Sequence, residues 1–126
     1  MNVMQKSVLI TGAGKGIGKE VALTFLKKNY FVYAIIRKKS DNKNFNKFKN
    51  IKIYNSDVKN INVLKKIFLH SKKSKKIIYG LVNNAGMRLR KKFTKISEKE
   101  LKDLFETNFF SIFRIMQEYT NYIKKK

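Results

Sequence analysis

Short runs of apolar residues alternate along the chain with longer segments in which apolar residues recur at helical spacing. The short runs predict strands over residues 7–11, 31–36, 51–55 and 77–82. The longer segments predict helices over 16–28, after Asp57 and after Ser97, whereas the polar segment 37–50 predicts no helix. This alternation is the order of βαβ units, so we expect one α/β domain over residues 1–126 with a parallel sheet.

The last predicted helix begins with a capping box, because Ser97 and Glu100 precede an apolar pattern at the required spacing. Its apolar residues are predicted to share one face: Leu101, Leu104, Phe105, Phe109, Ile112, Met116, Tyr119 and Ile123. Asn108 falls in the middle of this face, where an unpaired amide would cost about 1 to 3 kcal/mol. Either a structural hydrogen bond or a functional role must therefore satisfy Asn108.

Four of the six glycines lie within seven residues, at the junction between the first predicted strand and the first predicted helix. A turn without Cβ atoms lets backbone N–H groups and the positive end of a helix approach a pyrophosphate. The spacing fails both G-x-G-x-x-G and the Walker A pattern, which disfavours a nucleoside triphosphatase. It matches T-G-x-x-x-G-x-G from Thr11 to Gly18, so we expect a phosphate cradle rather than a merely flexible loop.

Three further features follow the glycine motif along the chain. Asn83-Asn84-Ala85-Gly86 comes after the fourth predicted strand, at the end where doubly wound sheets bind ligands, Asp57 follows the third strand, and Asn108 lies in the last helix. Together with the glycines, these features resemble the coenzyme-binding half of the short-chain dehydrogenase/reductase family over the full chain. The resemblance implies a Rossmann-type doubly wound sheet of about four parallel strands, in the order 3-2-1-4. It also implies that Asp57 bonds the adenine and that Asn108 helps to organise the catalytic water and lysine.

The end of the second strand indicates which dinucleotide binds, because a carboxylate there suits the ribose of NAD and a cation suits the 2′-phosphate of NADP. Here the residue is Arg37, Lys15 stands in the glycine turn, and the nearest carboxylate is Asp41. This pair of cations resembles that of NADPH-dependent carbonyl reductases, so NADP(H) is favoured over NAD(H). The residues that the resemblance assigns to the coenzyme are Gly12, Lys15, Gly16, Ile17, Gly18, Arg37, Asp57, Asn83, Ala85 and Gly86.

The resemblance implies hydride transfer between NADPH and a carbonyl or alcohol, using a serine, a tyrosine and a lysine that the family carries beyond its fifth strand. The sequence stops before that strand, so we expect a truncated domain that is inactive alone. Tyr122 and Lys126 match Y-x-x-x-K only by chance, because Tyr122 is about 21 Å along the helix from Asn108. The open edge of the fourth strand is expected to require a complementing C-terminal chain or a second copy.

Composition changes this picture little. The net charge of +22 suggests a partner rich in phosphates, but the lysines are spread along the whole chain, which favours a solvated surface over a nucleic-acid site. Because the chain has no cysteine and a single histidine, we expect no metal centre. The apolar run near the N-terminus is too short for a signal peptide or a membrane span, so a cytoplasmic protein is expected.

The leading hypothesis is therefore an NADP-dependent oxidoreductase in which only Asn108 of the catalytic set is present. Two alternatives from other classes stay open. One is a dinucleotide-binding module without catalysis, and the other is a basic nucleic-acid-binding protein. The substrate is not predicted, because the loops that contact it in this family come mainly from the half that follows.

Overall fold

The computed structural model describes residues 4–125 and contains one four-stranded parallel sheet. The strands are β1 (Ser7–Thr11), β2 (Phe31–Ile36), β3 (Ile51–Asn55) and β4 (Ile78–Val82). They are arranged in the order β3-β2-β1-β4, so β3 and β4 form the edges of the sheet in the described part of the chain. The predicted fold class, strand number and strand order are confirmed.

Helices lie between β1 and β2, between β3 and β4 and after β4, as the alternating pattern predicts. They are α1 (Gly16–Lys27), α2 (Asn62–Lys73), α3 (Glu98–Phe105) and α4 (Ser111–Lys124). Helix α1 ends ahead of Asn29, whose backbone has a φ of 63°, a left-handed conformation that asparagine tolerates after a helix. The connection between β2 and β3 contains only a 3₁₀ helix, Lys39–Phe45, which carries the buried side chain of Phe45.

The core lies on both faces of the sheet, because successive residues of a strand point to opposite sides. On one face, Val8 and Ile10 pack with residues of α1 and the 3₁₀ helix. On the other face, Leu9 packs with residues of α2 and α4, including Ile67 and Ile115. All residues of β1 and β2 are buried, as expected of central strands that are covered on both sides.

The last helix differs from its prediction. A π-helical turn, Glu106–Phe110, separates α3 from α4. The i to i+5 bonding of this turn changes the phase of the helix, so a constant rotation per residue places the later side chains wrongly. The row that faces the core contains Ser111, Ile115 and Tyr122. Most of the predicted apolar face is instead exposed, with Phe109 at 61 % and Met116 at 53 %.

Tyr122 ties three elements together inside the core. Its hydroxyl oxygen lies 2.7 Å from the Ser71 hydroxyl of α2 and accepts a 3.0 Å hydrogen bond from the backbone N–H of Ile78 in β4. Its ring stacks on Phe68 with the centroids 4.6 Å apart. Lys126, the other residue of the Y-x-x-x-K match, lies outside the described residues. The contacts of Tyr122 are therefore those of a core residue.

Candidate functional site

The glycine turn that follows β1 packs directly against the segment that follows β4. A Cβ atom on Gly12 would lie 2.8 Å from the Cα of Ala85, and a Cβ atom on Gly18 would lie 2.2 Å from the carbonyl oxygen of Gly12. Gly12 also has a φ of 65°. Only glycine fits these two positions without moving backbone atoms.

The first turn of α1 presents backbone N–H groups that no side chain caps. Lys15 is the N-cap residue and makes no side-chain cap hydrogen bond, and the first turn has no acidic residue. At the start of α3, by contrast, the Ser97 hydroxyl accepts from the N–H of Glu100 in a complete capping box. Gly16, with a φ of 58°, begins α1, and a Cβ atom there would meet no atom within 4 Å. Free N–H groups and the positive helix end, bordered by open space, form a site suited to an anion.

Two residues hold the ends of β1 and β4 together. The Thr11 hydroxyl oxygen accepts hydrogen bonds from the backbone N–H groups of Asn84 and Ala85, at 3.1 and 3.0 Å. The side-chain amide of Asn84 donates to the carbonyl oxygen of Gly12 at 3.0 Å. Strand order reverses between β1 and β4, and this is where open α/β sheets form a ligand crevice. Thr11 and Asn84 thus fix the floor of that crevice.

Asn83 is the first residue after β4, and its amide oxygen is buried. This atom accepts no hydrogen bond from any residue between 4 and 125. A buried acceptor without a donor costs about 1 to 3 kcal/mol, and such groups are rare in folded proteins. Its position beside the crevice fits a polar ligand group that would supply the donor.

Asn108 lies in the π-helical turn and is exposed, so the prediction that it points into a buried apolar face is wrong. Its amide is satisfied by one residue. The Oδ1 atom accepts from the N–H of Met87, and the Nδ2 atom donates to the carbonyl oxygen of Met87, both at 2.8 Å. A Cβ atom on Gly86 would lie 3.3 Å from the Asn108 Oδ1 atom. Asn108 therefore positions the backbone of the segment that follows β4.

The predicted specificity residues are Arg37, directly after β2, and Lys15 in the glycine turn. Arg37 and Lys15 are exposed and make no ion pair with any residue that the structure describes. Asp41 lies close to the glycine turn, since a Cβ atom on Gly14 would be 2.9 Å from its Oδ2 atom. The Nδ2 atom of Asn44 donates to the carbonyl oxygen of Gly14 at 3.0 Å, so the 3₁₀ helix supports the turn from this side.

Two of the predicted coenzyme-binding residues, Asp57 and Ile17, take no part in the contacts described above. The Oδ1 atom of Asp57 accepts from the backbone N–H of Lys59 at 2.9 Å, and no hydrogen bond within residues 4–125 links Asp57 to the glycine turn. Ile17 is 77 % exposed at the start of α1. It borders an open depression of about 610 Å³ along the outer side of α1, whose wall also includes Val21 and Phe25. That depression includes no residue of β4, so the crevice remains the better candidate site.

Other kinds of site are not seen in the described residues. Among residues 4–125, no three His, Cys, Asp or Glu side chains are placed to hold a metal ion. No helix within that range is long and apolar enough to cross a membrane. The largest pKa shift of a carboxyl group lies outside the crevice, where hydrogen bonds from Lys91 and the Ser97 backbone lower the pKa of Glu100 to about 2.

Sequence reasoning did not assign Thr11, Asn84 or Asn44 to the site. Thr11 and Asn84 belong to the two motifs, and a polar residue that ends a buried strand is a signal for such a role. No feature of the sequence marks Asn44 as a site residue, because it lies in a segment where asparagine and lysine are abundant. Its bond to Gly14 depends on the fold.

The parallel sheet, its strand order and the glycine turn at the strand-order reversal define a Rossmann-type α/β domain. Comparison with known proteins gives the family. The family model described as "short chain dehydrogenase" matches residues 6–126. This chain therefore belongs to the short chain dehydrogenase family.

Three individual proteins illustrate the similarity. A 3-amino-tetrahydro-pyrrolizinone reductase from Xenorhabdus hominickii is 28 % identical over 123 residues, covering 96 % of this chain and 42 % of the reductase. The structure of ElxO with NADP bound is 32 % identical with a TM-score of 0.84, covering 97 % of this chain and 52 % of ElxO. The structure of a short chain dehydrogenase from Leptospira borgpetersenii with bound NAD⁺ is 26 % identical with a TM-score of 0.77, covering 91 % of this chain and 44 % of that protein. The chain thus spans about half the length of the proteins it matches.

Proposed function

We propose that this chain provides the coenzyme site of an NADP-dependent short-chain oxidoreductase. The proposal depends mainly on the first turn of α1, whose backbone N–H groups are capped by no side chain. Gly16 leaves open space beside this turn. The hydroxyl of Thr11 bonds the segment after β4 and so holds it beside the turn. In this proposal the α1 N–H groups bind the diphosphate, and Asn83, Ala85 and Gly86 line the crevice toward the nicotinamide side. The buried Asn83 oxygen supports a ligand with a hydrogen-bond donor there. Asp57 is proposed at the adenine.

NADP is the proposed coenzyme because Arg37 and Lys15 carry charges that no described carboxylate neutralises. A guanidinium can pair with the 2′-phosphate through two parallel hydrogen bonds. ElxO, which binds NADP, supports this choice. Asp41 beside Gly14 and the NAD⁺ of the Leptospira neighbour support NAD, so the affinities for the two coenzymes must be compared directly.

The bound coenzyme would supply the hydride that is exchanged with a carbonyl or alcohol. The chain's own part in the proposal is to bind and orient the coenzyme. Asn108 acts as a positioning residue, because its amide is bonded to the Met87 backbone. The serine, tyrosine and lysine implied by the family do not stand after a fifth strand in this sequence. We therefore propose that hydride transfer needs those groups from a further segment or chain.

The sheet edge at β4 supports the need for such a complement. Tyr79 in β4 is half-exposed, and the apolar side chains of Phe105, Phe109 and Met116 are exposed on α3, the π-helical turn and α4. Burying this surface and pairing the β4 edge would stabilise the domain. A complementing C-terminal chain or a second copy is therefore the proposed partner, and the chain alone is expected to associate or to have low stability.

A dinucleotide-binding module without catalysis is the second candidate, and the structural use of Asn108 favours it. A nucleic-acid-binding protein is the third, favoured only by the net charge of +22.

The test is a titration of the purified chain with NADPH, NADH and duplex DNA at two salt concentrations. Tighter binding of NADPH than of NADH supports the proposal, and turnover after addition of a C-terminal half supports the oxidoreductase over the module. Strongly salt-dependent binding of DNA alone would overturn both.

A further inference from the structure

The segment between β4 and α3 concentrates positive charge beside the crevice. It contains Arg88, Arg90, Lys91, Lys92 and Lys95, and it contains no acidic residue before the start of α3. Only four of the 30 basic residues of the chain are arginine, and two of these four are Arg88 and Arg90. The lysine-rich composition therefore does not explain this pair. Arginine differs from lysine in its planar fork, which matches the two oxygens of a carboxylate or phosphate group.

This segment is held in place at both ends. At its start, the Oδ1 and Nδ2 atoms of the Asn108 side chain bond the N–H and the carbonyl oxygen of Met87. Near its other end, the Lys91 ammonium pairs with the Glu100 carboxylate, which also accepts from the N–H of Ser97 at 2.9 Å. Contacts at these two points position the residues between them. Arg88 is one residue past the first anchor.

The carboxylates close to this segment are already occupied. Glu98, Asp103 and Glu106 pair with Lys102, Lys99 and Arg114, and Glu100 pairs with Lys91. Arg88 and Arg90 are exposed, and neither makes a hydrogen bond or an ion pair with any residue from 4 to 125. Along this stretch, Met87 and Leu89 are half-buried while Arg88 and Arg90 are exposed. Both arginine side chains are therefore accessible to a ligand.

The arginine pair, Arg88 and Arg90, follows closely in the chain after residues that line the crevice. Ala85 touches the glycine turn, and Arg88 follows it by three residues, which places their Cα atoms within about 11 Å of each other. A ligand whose reacting group occupies the crevice can therefore reach Arg88 with another group, and Arg90 follows Arg88 by two residues. We propose that Arg88 and Arg90 bind an oxyanion, a carboxylate or a phosphate, carried by the substrate. This inference rests on the proposed function for the location of the reacting group.

The test uses phenyl phosphate and benzoate as probes, with benzyl alcohol as the neutral control. Binding to the whole chain is followed by NMR titration, with and without saturating NADPH. We expect both anions to bind more tightly than the alcohol, and the Arg88→Gln/Arg90→Gln double variant to weaken anion binding about tenfold. The difference between the two anions shows which oxyanion is preferred. Arg88→Lys/Arg90→Lys, which keeps the charge but loses the fork, should bind with intermediate affinity.

A matched control removes the same charge elsewhere. Lys65→Gln/Lys66→Gln alters two exposed lysines of α2, and it should leave probe affinity unchanged. If Arg88→Gln/Arg90→Gln and Lys65→Gln/Lys66→Gln weaken anion binding equally, the anions bind through the general charge of the surface and the proposal is wrong. It is also wrong if the anions bind no better than benzyl alcohol. Suppose that the chain binds the anions through Arg88 and Arg90 and yet fails to bind NADPH. That result would support the oxyanion site and contradict the proposed coenzyme site. Thermal melting verifies that each variant is folded.

Discussion

The hydroxyl oxygen of Thr11 accepts a hydrogen bond from the backbone N–H of Ala85 at 3.0 Å. This bond joins the last residue of β1 to the segment after β4, and a second bond from the Asn84 N–H reaches the same oxygen. Because Thr11 is buried, water cannot replace the hydroxyl for these two donors. One side-chain oxygen therefore holds two backbone N–H groups of the crevice floor.

Replacing Thr11 by valine should reduce the free energy of unfolding by about 1 to 3 kcal/mol, because the backbone N–H groups of Asn84 and Ala85 lose their acceptor. Thr11→Ser retains the oxygen and should lose less. Urea denaturation of both variants measures the difference. Equal stability of Thr11→Val and the unmodified chain would show that the bonds contribute nothing.

Replacing Arg37 by glutamine should weaken NADPH binding about tenfold and leave NADH binding unchanged, because only NADPH carries the 2′-phosphate. The control is Lys49→Gln, which removes one charge from an exposed position before β3. Fluorescence titration with each coenzyme provides both dissociation constants. A similar loss of affinity for NADPH and NADH would show that Arg37 contacts a group that both coenzymes carry, and not the 2′-phosphate.

Replacing Tyr122 by phenylalanine should reduce the free energy of unfolding by about 1 to 3 kcal/mol, because the buried N–H of Ile78 loses its acceptor. Tyr119→Phe should cost less, since the hydroxyl of Tyr119 makes one longer bond of 3.3 Å to the carbonyl oxygen of Ile78. NADPH affinity should stay the same in both. Loss of coenzyme binding in a stable Tyr122→Phe variant would contradict the structural role.

Stability should fall as the pH decreases through about 6.5, the ordinary pKa of histidine. Burial, together with the charges of Lys52 and Lys76, lowers the pKa of His70 in the folded chain. The unfolded chain therefore takes up this proton first, which favours unfolding below the ordinary pKa. Chemical denaturation at pH values on both sides of it should show a smaller decline in His70→Gln. Parallel declines in the two proteins would exclude His70 as the cause.

The centre of the sheet was predictable from the sequence because β1 and β2 are buried on both faces. Continuous apolar runs such as 31–36 mark such strands, and the glycines mark the first turn. The 3₁₀ helix after β2 was missed, because its one buried side chain, Phe45, stands among polar residues and produces no periodicity.

The orientation of the last helix was not predictable in the same way. The π-helical turn changes the helical phase, and no residue of α3 is buried. An apolar helical pattern shows that one face avoids water, but it does not show which element covers that face. The exposed Phe105 and Phe109 therefore lie where the pattern predicted buried side chains.

The candidate site was predictable as far as its motifs extend. The glycine turn and the Asn83–Gly86 block meet in the structure, through contacts that depend on β1 lying beside β4. The bonds of Asn108 to Met87 depend on the tertiary fold and could not be derived from spacing alone. The role assigned to Asp57 stays a prediction.

The most direct measurement is the NADPH affinity of a Gly16→Asn variant. Asparagine tolerates the positive φ of Gly16, yet its side chain would fill the space beside the first turn of α1, where a Cβ atom meets no protein atom within 4 Å. Gly80→Ala in β4 is the control, since its Cβ atom would make an ordinary 3.5 Å contact with Val8. We predict that Gly16→Asn stays folded and binds NADPH at least about tenfold more weakly, while Gly80→Ala binds normally. Unchanged affinity in a folded Gly16→Asn variant would contradict the proposed coenzyme site.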